Sequence, residues 1–169
     1  MIINVAGIIK ELGGRVDFDG KVSLEATDFL GEEFQFPAPL QITGSVSNNG
    51  KSLILEAEAK GKVAVHCARC LKPLTVDVDF PIEETFIQDD GEQQTDEDVI
   101  LFTGNELELD EVVYNHFLMN TPGKFLCKED CKGLCVHCGA DLNEGQCQCD
   151  QDSIDPRWAA LKEIMDQNQ

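Results

Sequence analysis

The plainest pattern in the chain is strict alternation: Leu74, Val76, Val78, Phe80 and Ile82 are apolar at every second position, with Thr75, Asp77 and Asp79 between them. Side chains of a strand point to opposite faces in turn, so this stretch predicts a strand with one buried face. Residues 52–65 predict its antiparallel partner. That partner is entered from Ile42 and Val46 through Asn48-Asn49-Gly50, residue types that favour a tight hairpin turn. Val16, Phe18, Val22 and Leu24 predict a further strand.

Two other stretches change period. Val5, Ile8, Ile9 and Leu12 fit one face of a short helix ended by Gly13-Gly14. Leu109, Val112, Val113 and Phe117 predict a core-facing helix over about 107–120, closed by Thr121-Pro122-Gly123. Residues 88–98, QDDGEQQTDED, carry acid without periodicity and predict a solvated loop. Near the end, Asp155-Pro156 supplies an N-cap and a proline at the first helical position, followed by Trp158, Leu161 and Met165 on one side of a terminal helix.

Composition narrows the class. A hydrophobic fraction of 42% and a charged fraction of 27% over 169 residues are those of a folded water-soluble chain, and no apolar run is long enough to cross a bilayer. The opening MIINVAGIIKELGG lacks the basic start, long apolar centre and small-residue cleavage site of a secretory signal, which points to the cytoplasm. The formal charge of −19 repels phosphate backbones and favours basic partners; the 13 Lys and Arg are scattered, so direct binding to nucleic acid loses ground.

The chemistry sits in the cysteines. C-A-R-C places Cys67 and Cys70 between the two central strands, and C-V-H-C-G places Cys135 and Cys138 before a glycine that lets the backbone turn. Cys127 and Cys131, and Cys147 and Cys149, form two looser pairs. A two-residue spacer lets one turn aim both sulfurs at one ion, and a zinc ion takes four thiolates in a tetrahedron. Eight cysteines make two such sets with none left over. In one grouping Cys135, Cys138, Cys147 and Cys149 share an ion, and Cys127 and Cys131 reach back to Cys67 and Cys70. The rival grouping joins Cys127, Cys131, Cys135 and Cys138.

Cytosolic thiol buffers argue against disulfides. The spacing matches neither common ferredoxin pattern. Redox catalysis through C-V-H-C lacks the strand-to-helix setting of a reactive dithiol, although a thiol redox or zinc-transfer protein is the alternative from another class. Four sulfurs close a coordination sphere, and no H-E-x-x-H, phosphate loop, dinucleotide fingerprint or G-x-S-x-G is present, so no enzyme is expected. His66 and His116 have no motif around them. The expected fold class is α+β: a mainly antiparallel β-sheet domain with a few helices over residues 1–124, and a small zinc-ribbon-like, cysteine-rich segment with the terminal helix over residues 125–169.

The succession HCARCLKPL, ELELDEVV, LCKEDCKGLCVHCGADLNEGQCQC and IDPRWAALKEI resembles the YceD family, the large ribosomal RNA subunit accumulation proteins of bacteria. In that family C-x-x-C after a strand is the common element, and only some members carry an extended cysteine tail. The resemblance implies a non-enzymatic role in accumulating or processing 23S ribosomal RNA precursor during large-subunit assembly, with assembly intermediates as partners through a basic ribosomal protein or a protein–RNA surface. It carries over to Cys67 and Cys70, and to the tail cysteines. Val136 and His137 depart from the expected proline and apolar residue, and Asn120-Thr121-Pro122 replaces a more apolar stretch; neither change removes a cysteine.

Overall fold

The computed structural model describes residues 1–29, 31–89 and 99–149. The terminal helix expected after Asp155, and nearly all of the acidic loop, lie outside the described residues. The elements in chain order are β1 (Ile2–Asn4), β2 (Arg15–Val22), β3 (Thr27–Phe29), β4 (Glu32–Phe34), β5 (Leu40–Asn48), β6 (Leu53–His66), β7 (Pro73–Gln88), β8 (Ile100–Phe102), β9 (Glu106–Glu108) and α1 (Asp110–Asn120).

One five-stranded sheet, in the order β2-β5-β6-β7-β8, carries the fold. Its first four strands are antiparallel neighbours, and β8 lies parallel to the end of β7. The predicted alternation is met along β6 and β7: Leu53, Leu55, Ala59, Val63 and Val65 of β6 and Phe80, Ile82 and Phe86 of β7 are buried on one face. Ile42 and Val46 of β5 continue that face. On it sits α1, with Val112, Val113 and Phe117 buried. The Phe117 ring packs among Phe34, Phe36 and Phe80 at centroid distances of 5.4, 5.0 and 6.2 Å. Burying one such ring contributes about 2–3 kcal/mol.

The lengths of β6 and β7, 14 and 16 residues, are what position the cysteines. β5 pairs with β6 only up to Lys60, while β6 and β7 stay paired to His66 and Pro73. The far end of this hairpin therefore extends past β5, steadied by an isolated bridge between Gln35 and Ala64. Cys67 and Cys70 stand at its tip.

Three sequence expectations are corrected. Residues 5–14 form a chain of hydrogen-bonded turns rather than a helix, and Leu12 is 77% exposed. The segment is shaped by long-range contacts: Val5 N–H donates to Asn105 O, Gly13 N–H to Asn48 O, and the Asn48 amide to the carbonyls of Ile8 and Ile9. The second helix begins at Asp110 rather than near 107, because residues 106–108 pair as β9 with β1. Leu24 likewise lies beyond β2, which ends at Val22.

Candidate metal centres

After α1 the chain returns to the tip of the β6–β7 hairpin. Phe125 packs edge-on against Phe34, and its carbonyl accepts from Ala68 N–H at 2.8 Å. This delivers Cys127 and Cys131 beside Cys67 and Cys70. The four sulfurs lie within 4.8 Å of one another. Cys67 to Cys131 measures 3.8 Å and Cys70 to Cys127 3.6 Å. Cys67, Cys70 and Cys131 are buried among Leu74, Leu126 and Leu134, while Cys127 is exposed. The second group, Cys135, Cys138, Cys147 and Cys149, meets the same 4.8 Å limit. It is the more open of the two: Cys135 is buried, Cys138 exposed, and Cys147 and Cys149 half-buried.

These separations discriminate between bonding modes. A disulfide sets its sulfurs about 2.05 Å apart. Thiolates at about 2.3 Å from one ion stand about 3.8 Å apart along the edge of a tetrahedron. The measured edges of the first group fit the second description, and all eight cysteines are free of disulfides. Both groups could hold a metal ion. Of the two groupings open to the sequence, the structure forms the one in which the C-x-x-C of the hairpin is completed by Cys127 and Cys131.

The two C-x-x-C turns share one backbone geometry. Leu71 N–H donates to Cys67 O at 2.9 Å and Cys67 N–H to Lys72 O at 2.9 Å; Gly139 N–H donates to Cys135 O and Cys135 N–H to Ala140 O, each at 2.8 Å. The residue after the second cysteine is left-handed in both, with φ of 58° at Leu71 and 73° at Gly139. A glycine marks the second turn in the sequence; the leucine gives no such signal.

The protein's own donors polarise the sulfurs unequally. Burial acts to raise the Cys67 thiol, but N–H groups of Cys127, Cys70 and Arg69 outweigh it and hold the thiol at about 6. The N–H groups of Cys138 and His137 bring Cys135 to about 6. Desolvation of its sulfur within the cluster, although the residue as a whole is exposed, and then the neighbouring thiols push Cys127 up to about 12, and Cys138 followed by burial does the same to Cys149. Each group thus mixes thiols that the protein's own donors favour as thiolates with at least one that ionises only when a cation is beside it, and a bound ion needs all four as thiolates.

The supporting shell was not legible in the cysteine spacing. Asn143 Nδ2 lies 3.5 Å from Cys131 Sγ, and Arg69 Nη1 donates to Cys131 O at 2.6 Å. Lys72 Nζ sits 2.9 Å from Asp141 Oδ2, close enough for ion pairing although off the direction of a hydrogen bond. This pairing, with the Asn143 N–H, holds the Asp141 carboxyl at about 2. His66 and His116 join neither group; they face Glu32 and Glu84 respectively.

Residues 55–165 match the family described as Large ribosomal RNA subunit accumulation protein YceD. The chain belongs to the YceD family. The YceD match starts in β6 and spans the hairpin, α1 and all eight cysteines. The uncharacterized protein YlbN of Bacillus subtilis is 25% identical over 157 residues, 90% of this chain and 89% of its own length. The uncharacterized protein Rv2926c of Mycobacterium tuberculosis is 28% identical over 131 residues, 76% of this chain. The match spans 63% of the length of that mycobacterial relative. A chloroplastic YCED homolog 1 of Arabidopsis thaliana, named as a large ribosomal RNA subunit accumulation protein, is 36% identical over 44 residues, 26% of this chain and 14% of its own. No solved structure matches the YceD chain.

Proposed function

We propose that the protein is a non-enzymatic factor in the biogenesis of the large ribosomal subunit. It promotes accumulation and processing of 23S ribosomal RNA precursor in the cytoplasm, with one structural zinc ion at each cysteine group. The observation that carries this reading is the family match over residues 55–165, which takes in both groups. Zinc suits all-sulfur tetrahedral sets, and four protein sulfurs leave no open position for a substrate or water, so the ion's role is to staple. The staple is needed because residues 125–149 contribute few large apolar side chains of their own.

The partner is a basic protein surface, or a protein–RNA surface presenting one, on a large-subunit intermediate. The charge of −19 supports this, as does the outer face of the sheet, where Asp17, Ser45, Glu56 and Glu83 lie in one cross-strand row. Two bound four-thiolate ions would make the molecule about four units more negative still.

Deleting the gene and measuring 23S precursor and free large subunits tests the reading. Precursor should change relative to 16S, and the wild-type gene should restore it while the Cys67→Ser, Cys70→Ser variant should not. Unaltered rRNA in the deletion strain contradicts it. The competing reading, a thiol redox or zinc-transfer protein, draws on the two thiols held at about 6. It predicts disulfide reductase activity or fast zinc release to an acceptor, neither of which a closed staple supplies.

A further inference from the structure

We propose that the turn at residues 141–143 couples the two cysteine groups, with Asn143 as a positioning residue, so that filling the second group tightens the first group's hold on its ion. This rests on the reading of both groups as metal sites.

The Asn143 amide is fully committed. Its Oδ1 accepts from Lys132 N–H at 2.9 Å, and its Nδ2 donates to Asp141 Oδ1 at 2.7 Å and to Cys131 Sγ at 3.5 Å. Only one orientation satisfies these contacts, since a flipped amide would set its oxygen against a carboxylate and a thiolate. The same turn is tied to the second group. Leu142 N–H donates to Gly133 O, Cys135 N–H to Ala140 O, and Leu134 bridges Asp141. Asp141 in turn ion-pairs with Lys72, which follows Cys70 of the first group by two residues.

The topology makes the coupling directional. Asn143 belongs to the loop between Cys138 and Cys147, both ligands of the second group, yet it touches a sulfur of the first. An ion in the second group fastens both ends of that loop and so removes most of the freedom that Asn143 would lose on reaching Cys131. With the second group empty, the first must bear that ordering cost itself. A second connection runs alongside: Leu134 N–H donates to Arg69 O at 3.1 Å, and Arg69 Nη1 holds the Cys131 carbonyl.

Partners that orient a metal ligand are worth about 10–100-fold in affinity. The test is chelator competition on the full chain loaded with cadmium, a stand-in for zinc whose NMR resonance reports each site separately. Asn143→Ala should keep both resonances, shift that of the first group, and weaken the first group about tenfold. Cys135→Ser with Cys138→Ser should abolish the second resonance and weaken the first by a similar factor. Combining the two changes should add little, because both break one connection. Lys72→Met, at a half-exposed side chain, perturbs the turn from the other side without touching a sulfur contact; a severalfold weakening of the first group is expected. An unchanged first-group affinity in Asn143→Ala and in the double cysteine variant overturns the coupling, and so do fully additive effects. No cadmium or zinc bound by the wild type overturns the metal reading itself and this inference with it.

Discussion

Truncating Phe117 to alanine tests what holds α1 on the sheet. The helix has 11 residues, shorter than the roughly 12–15 that an isolated helix needs to persist in water. Its N-cap residue Leu109 makes no side-chain capping bond, and no basic residue lies in its last turn. Asp110 and Glu111 favour the helix dipole, and Asn120 and Thr121 bond the carbonyls of His116 and Phe117, but each such term contributes only about 1 kcal/mol, so packing must supply most of the stability. Phe117 is 1% exposed and touches three rings contributed by β4, the segment after it, and β7. Removing such a ring costs about 3–5 kcal/mol, combining lost transfer energy with a cavity that ring neighbours cannot readily fill. For a chain of this size each kcal/mol lowers Tm by about 2–4 °C, so a fall of about 6–20 °C is expected. Phe117→Leu keeps most of the volume and should cost about 1–1.5 kcal/mol. Thermal and urea unfolding of the metal-loaded protein, followed by far-ultraviolet circular dichroism, measure both. A loss below about 1 kcal/mol for Phe117→Ala, or equal losses for the two variants, would refute the argument.

Three further outcomes follow from the geometry. Acid should release metal: the ion binds thiolates, so protons compete with it for every ligand, and occupancy followed by dialysis and elemental analysis should fall as the pH is lowered, more steeply below about 6, where Cys67 and Cys135 also take up a proton in the metal-free protein. Occupancy that does not change with acid would contradict binding through thiolates. Under a chromophoric chelator the second group should empty first, since Cys138 is exposed and Cys147 and Cys149 are half-buried, whereas three sulfurs of the first are buried; a single-phase release would count against this ordering. Gly44→Ala should destabilise the sheet by about 3 kcal/mol, because its Cβ would stand 2.3 Å from Glu56 O and 2.4 Å from Ala57 Cβ; a near-neutral urea midpoint would show that β5 and β6 can separate at no cost.

The long hairpin was legible because one face of each strand is buried and the other is wet, the condition under which alternation appears in a sequence. Phe80 and Ile82 between Asp79 and Glu83 leave no other period. The first-helix expectation failed because the spacing of Val5, Ile8 and Ile9 is compatible with successive turns as well as with a helix. What decides between them is Asn48, 40 residues away, whose side chain takes the carbonyl of Ile8. β8 and β9, at three residues each, are too short to carry a period, and their pairing partners are β7 and β1. All eight candidate ligands were visible as cysteines. Their partition was not decided by spacing, since Cys131 and Cys135 belong to different groups although only three residues lie between them. The β6–β7 hairpin decides it by carrying Cys67 and Cys70 to where the chain emerges from α1. Asn143 carried only the weak signal of an Asx-type turn, D-L-N, with nothing to tie it to a sulfur.

The measurement that reaches the central claim most directly is metal content per chain in protein purified without added metal, for wild type and for the Cys67→Ser, Cys70→Ser variant. Two zinc ions in the wild type falling to one in the variant, with the residual ion held by Cys135, Cys138, Cys147 and Cys149, is the predicted result. A wild type without metal whose eight thiols all titrate freely would contradict it.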